Sequence, residues 1–138
     1  MPKPDNALLN PARYPFVHEV TTRFADMDPN QHLSNVAIAA LFEDGRVRFA
    51  HATGSRRAMV ASVAIEYLDQ AFYPDPVTSH VGLERVGRTS WTTVQVLVQN
   101  GKVFAFARTV AVCTPDGRPG PIDADLRAGL ERMVLRDA

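Results

Sequence analysis

The sequence predicts an α+β fold, a curled antiparallel sheet of about five strands wrapped around one long central helix. Three observations carry that reading. A single strong helical run, residues 36–51, follows a polar loop early in the chain. From Ala58 onward the apolar period changes to two and is sustained through four strand-length segments. Within those segments Asn100-Gly101 marks a tight hairpin, because both central residues of a type I′ turn need positive φ. Strand, long helix, four strands in meander and a last helix can bury their apolar faces if the sheet curls over the helix.

Residues 1–15 hold four prolines, Pro2, Pro4, Pro11 and Pro15. Proline disfavours helix interiors and central strands alike, so this stretch is expected to be a lead-in. Residues 16–138 are expected to form one domain. The β-branched and aromatic residues of 16–25 predict a first strand. Ser34 or Asn35 can cap the helix that follows. That helix is apolar for two turns, Val36 to Phe42, which predicts burial on all sides. Further along, Glu43 can pair with Arg46 and Asp44 with Arg48, and Gly54 ends the helix.

Residues 58–70 alternate as a strand, and 72–76 form a proline-bearing turn. Val77, Ser79, Val81 and Leu83 share one face of the next strand. Residues 90–99 and 102–114 flank the Asn100-Gly101 turn. Asp123 is placed to cap a final helix over 125–136, with Leu126, Leu130, Met133 and Val134 on one face. A single sheet leaves free edges, so a homodimer or homotetramer is expected.

The totals narrow the function. Fifteen basic residues balance fifteen acidic ones, which argues against a nucleic-acid or membrane-surface partner. Cys113 is the only cysteine, which leaves no internal disulfide and no cysteine metal cage. His18, His51 and His80 form no ligand spacing. No apolar run approaches the ~18 residues of a membrane span, and residues 1–15 carry no signal-like segment. The expected location is the cytoplasm.

The chemistry concentrates just before the long helix. Asp26, Asp28, Asn30, Gln31, His32, Ser34 and Asn35 fall within ten residues at its N-terminus. Helix N-termini present unpaired N–H groups and a partial positive charge, which suit an anion or a carbonyl oxygen becoming an oxyanion. On the residues alone, Asp28 ahead of Pro29 reads as an Asx-turn residue, and His32 as either a structural or a chemical group. Asp26 reads as a residue that holds the loop.

The run RFADMDPNQHLSNVAIAALFEDGR, residues 23–46, resembles the signature of hotdog-fold acyl-CoA thioesterases of the 4-hydroxybenzoyl-CoA thioesterase type. The positions that carry the resemblance are Asp26 and Asp28, Gln31-His32, Ser34-Asn35, and Glu43-Asp44 with Arg46. IEYL at 65–68, RVGRTS at 85–90 and GRPGPID at 117–123 follow in the family's order. The resemblance implies a hotdog fold and hydrolysis of an acyl-CoA or acyl carrier thioester without a cofactor. It also implies active sites at a dimer interface. It makes Asp28 the catalytic carboxylate, as nucleophile or general base. His32 and Asn35 would orient the loop or the thioester, and Gln31 and Ser34 would shape the oxyanion loop. Glu43 is a possible second acid. Arg88, Thr89 and Ser90 would hold the phosphate-bearing end of coenzyme A, since Arg forks bind phosphate well.

Three positions depart from the family pattern. Gln31 replaces a loop glycine, which normally permits positive φ. Ser34 replaces the first Asn, and Ile38 stands where an aromatic is common. Gln31 favours an alternative, a non-catalytic hotdog protein that binds an acyl or aromatic ligand. A third reading is a hydroxyacyl-thioester dehydratase using His32 and Glu43.

Overall fold

The computed structural model describes residues 4–137, so the expectations for residues 1–3 and 138 fall outside the described residues. Five strands form one open antiparallel sheet: β1 (Phe16–Val20), β2 (Ala58–Tyr67), β3 (Val77–Val86), β4 (Ser90–Gln99) and β5 (Lys102–Cys113). The helix α1 (Asn35–Thr53) packs across one face and the short α2 (Ala124–Glu131) follows β5. This is the expected hotdog-like architecture.

The strand order, β1-β3-β4-β5-β2, corrects the four-strand meander. Only β3, β4 and β5 are joined by tight hairpins. Asn100 and Gly101 sit at φ 51° and 76°, as the I′ turn requires. The link from β2 to β3 runs through residues 68–76 with two prolines, too long and stiff for such a hairpin. It crosses the end of the sheet, so β2 pairs with β5, Tyr67 opposite Ala105, and becomes an edge.

Local chemistry sets the ends of α1. Ser34 Oγ accepts from Ala37 N at 3.0 Å, and Gly54 closes the helix at φ 78°. Ile38 and Phe42 then pack on Val77, Leu97 and Phe104, while Phe49 packs with Val81, Leu83, Trp91 and Leu130. Gly45 lets the helix press on the sheet. A Cβ there would lie 2.9 Å from both Gln95 Nε2 and Ser79 Oγ, and Gln95 Nε2 donates to Phe42 O at 2.9 Å. Burial of the helix on all sides is not observed, because the sheet covers only one side. Val36 is 80% exposed, and Val47 is also exposed.

Two boundaries also shift. The first strand stops at Val20, and Phe24–Asp26 forms a 3-10 turn. Helix α2 starts as expected, Asp123 Oδ1 accepting from Leu126 N at 2.8 Å. It ends at Glu131, after which Val134 bridges to Leu83 of β3. The proline-bearing lead-in folds into two 3-10 turns, Asn6–Leu9 and Pro11–Arg13. Buried Tyr14 seals it to the sheet face away from α1, against Val94, Val96 and Phe106.

Candidate active site

The loop between β1 and α1 is built by its own polar side chains. Asp26 is almost fully buried. Its Oδ2 accepts from Arg23 N at 3.0 Å, and its Oδ1 takes Arg23 Nη2 at 2.8 Å. Its backbone oxygen accepts from Ser34 N at 2.8 Å, which closes the base of the loop. Asp26 therefore holds the loop, as the sequence suggests. The Arg23 hydrogen bond, more than the opposing burial, holds the Asp26 carboxyl below the usual aspartate range. A depressed carboxyl stabilises the fold above the unfolded pKa of ~4 and loses that contribution as the pH falls through the folded value. Asp26→Asn should thus be less stable than wild type at neutral pH. The gap should close on acidification below pH ~4, as read from urea midpoints across a pH series.

Asp28 folds the loop tip. Its Oδ1 accepts from Asn30 N at 2.8 Å and from His32 N at 3.1 Å. Its backbone N–H donates to His32 O at 2.7 Å and its carbonyl accepts from Gln31 N at 3.0 Å. The Asx-turn role is real, and it is confined to one carboxylate oxygen. Oδ2 has no protein partner among the described residues. Gln31 sits at φ 66°, the left-handed conformation that the family's glycine adopts freely. A non-glycine residue holds that conformation at the cost of local strain. Gln31→Gly should raise stability by about 1 kcal/mol, seen as a higher urea midpoint at unchanged slope.

The loop places Asp28, His32 and Asn35 on one cavity of about 370 Å³, with Ile38, Tyr67 and Leu68. His32 stacks edge-on against Phe72, ring centres 5.3 Å apart. Tyr67, which sequence reasoning passed over, donates its hydroxyl to Asn35 O at 3.3 Å. Its signal was an aromatic at the end of an alternating strand, beside the polar Asp69-Gln70. Asp69 borders the cavity too, and Lys102 holds its carboxyl below the ordinary range through a 2.8 Å ion pair.

Most of the N–H groups around residues 31–35, where an oxyanion would be held, are already engaged. The N–H groups of Gln31, His32, Leu33 and Ser34 are all engaged inside the protein, on Asp28 O, Asp28 Oδ1, Ala71 O and Asp26 O. Ser34 Oγ takes the Ala37 N–H. The N–H groups of Asn35 and Val36 are the ones left without an acceptor at the helix start, among the described residues.

The remaining predicted residues lie elsewhere. Glu43 is exposed two turns along α1, on a separate hollow with Arg46, Val63 and Ile65. The expected Glu43–Arg46 ion pair does not form among the described residues, whereas Asp44 and Arg48 do pair at 2.9 Å. Arg88 and Thr89 lie in the β3–β4 turn and Ser90 opens β4, with Thr89 O accepting from Cys113 N at 2.8 Å. This turn lies at the end of the sheet opposite Asp28, so one chain alone does not bring the two together.

Among the described residues no helix is long and apolar enough to cross a membrane, and no group of three or more His, Cys, Asp or Glu is placed to hold a metal ion. No curated protein matches the chain. Solved structures do. The chain is 32% identical to a predicted thioesterase from Bacillus stearothermophilus, with a TM-score of 0.81 over 89% of this chain and 98% of that one. It is 25% identical to a thioesterase complexed with coenzyme A and Zn from Thermus thermophilus, TM-score 0.82, over 88% and 95% of the two chains. A thioesterase superfamily structure from Jannaschia shares the fold at 23% identity, TM-score 0.80, over 96% and 92%. The family model that matches spans residues 22–130, from the polar loop through all of α1 and β2–β5 into α2. With fold, site loop and match coinciding over that length, the chain belongs to the Thioesterase-like superfamily.

Proposed function

We propose that this protein hydrolyses an acyl-CoA thioester in the manner of the 4-hydroxybenzoyl-CoA thioesterase type, with Asp28 as the reacting carboxylate. The observation that carries the reading is the division of labour at Asp28. Oδ1 is committed to the loop, Oδ2 has no protein partner among the described residues, and Asp28 lines a cavity beside the start of α1. Oδ2 either attacks the thioester carbonyl, expelling the thiolate and forming a mixed anhydride that water then hydrolyses to free acid and Asp28, or takes a proton from a water that attacks the carbonyl and expels the thiolate. In both routes the carbonyl oxygen gains charge beside the Asn35 and Val36 N–H groups, where the helix dipole helps hold it. His32 and Asn35 border the same cavity and orient the thioester.

The reading includes a homodimer in the cytoplasm. Edge strand β2 exposes Met59, Val60 and Val63 and carries neither lysine nor proline to block pairing. Two copies of β2 paired antiparallel about a two-fold axis would set the Tyr67 end of one beside the Ala58 end of the other. Arg88, Thr89 and Ser90 of one copy would then stand at the same end as Asp28 of the other, where they would take the phosphates of coenzyme A. Coenzyme A in the Thermus thermophilus structure is consistent with such a substrate. Gln31 at positive φ takes the backbone conformation a loop glycine would, which supports the hydrolase over a binding-only protein.

The test is thiol release from short, long and aromatic acyl-CoAs by the purified protein, with its mass in solution measured alongside. Release from at least one class by a dimer is expected. A folded protein that releases thiol from none of them would overturn the hydrolase.

A further inference from the structure

A second cavity, of about 260 Å³, lies between the later half of α1 and the start of β2, over β4 and β5. Asn35 and Arg46 are separated by about 16 Å of helix, so this is not the Asp28 cavity. Phe49, Val60 and Trp91 give it apolar walls, and Arg46, Thr93 and Thr109 add polar groups. Thr93 and Thr109 face each other across the β4–β5 pair, so their side chains rise from the same face of the sheet. An apolar cavity of about 150 Å³ holds a benzene ring, so this one has room for a ring and a short polar arm.

Two of its polar groups are buried and unpaired among the described residues. Arg46 Nη1 is fully buried with no hydrogen-bond acceptor among the described residues, and Thr109 Oγ1 is likewise buried without a partner there. A buried donor without an acceptor costs free energy that a fitting ligand recovers. Burial lowers the Arg46 pKa and the Glu43 carboxylate raises it, yet guanidinium is too basic to lose its charge near neutral pH. Glu43 lines the same cavity without pairing with Arg46, and Arg56 adds a second positive charge there. An anion therefore meets two guanidinium groups and one carboxylate.

We infer that this cavity binds a carboxylate-bearing apolar group of about aryl-ring size, with the carboxylate on Arg46 and the Thr109 hydroxyl and the apolar part between Phe49 and Trp91. One source of that group is the tail of the substrate. In the antiparallel dimer proposed above, the Ala58 end of β2 adjoins the other copy's Asp28 cavity. An acyl group entering there would carry its free carboxylate to Arg46, which rests on the thioester reading. The other source is a free acid, such as a product. An apolar group leaves Nη1 unpaired, and an amide oxygen pairs it without meeting its charge, so the carboxylate makes the stronger, charge-assisted bond.

Calorimetry on the intact protein decides the inference without any turnover. Phenylacetate should bind at least about tenfold tighter than phenylacetamide, as expected for a charge-assisted hydrogen bond. Arg46→Met, which keeps the apolar stem, should erase that preference, and Thr109→Val should weaken phenylacetate binding several-fold, each with wild-type circular dichroism. Equal affinity for acid and amide, or a preference that survives in Arg46→Met, would overturn the site. Equal affinity together with a dimer weakened by Glu43→Gln would instead assign Arg46 to Glu43 of a second copy. A second arm separates the sources. Adipyl-CoA hydrolysed about tenfold better than hexanoyl-CoA in kcat/KM, with the gap lost in Arg46→Met, identifies the acyl tail. No such gap while phenylacetate still binds identifies a free acid. Release from neither thioester excludes an aliphatic acyl tail as the source, the aromatic acyl-CoAs still decide the hydrolase, and calorimetry still decides the cavity.

Discussion

Asp28→Asn is expected to lower thiol release at least about 100-fold while melting close to wild type, because loss of a catalytic base or nucleophile typically costs that much. The substitution keeps an oxygen that can accept from Asn30 N and His32 N, the two bonds that shape the loop tip. It removes only the charge and basicity that the reaction needs. Asp28→Ala should lose as much activity and also about 1–3 kcal/mol of stability, since both N–H groups then lack their acceptor. Rates and urea midpoints on the same preparations check this. Asn and Ala variants equal in stability would remove the structural role. An Asn variant that retains more than a tenth of the wild-type rate would move the chemistry to another group.

Phe42→Ala should cost about 3–5 kcal/mol, a large part of the roughly 5–15 kcal/mol that keeps such a domain folded. Phe42 has no exposed surface, and its ring packs within the cluster formed by Ile38, Val77, Leu97 and Phe104. Gly45 one turn later holds the helix hard against the sheet, and the Gln95 side chain pins the Phe42 carbonyl. The helix cannot settle into the vacated space, so both the lost transfer free energy and a cavity term are expected. Phe42→Leu keeps most of the volume and should cost under about 2 kcal/mol. Urea denaturation with an unchanged slope measures both, and a loss below about 1 kcal/mol for the alanine variant would show that the core relaxes there.

What the sequence displayed depended on whether the chemistry was local. The Ser34 cap, the Gly54 stop, the Asn100-Gly101 turn and the Asp123 cap each involve residues within four positions of one another, and each formed as read. The clustering of Asp28, His32 and Asn35 was legible for the same reason. The place of β2 was not, because alternation marks a strand without naming its neighbour. The exposed side of α1 was hidden too, since an apolar run does not say whether its own chain or another covers it. The fate of the loop N–H groups turned on contacts such as Leu33 N to Ala71 O, made between residues far apart in the chain. Tyr14 and the proline-bearing lead-in found their partners on β4 and β5, far beyond any local pattern.

The same long contacts fix how the site loop can move. Leu33 donates to Ala71 O at 2.8 Å, and the next residue, Phe72, is gripped on both sides by Gln99 of β4. Gln99 also donates to Asp75 O at 3.0 Å, and its side chain is buried at the end of the sheet. The loop that bears Asp28 is thus bolted through the β2–β3 link to a central strand. It has no independent unfolding unit of its own, and opening it means opening the core. Its geometry is set before any ligand arrives, so the free energy of binding a ligand there is not consumed in ordering it.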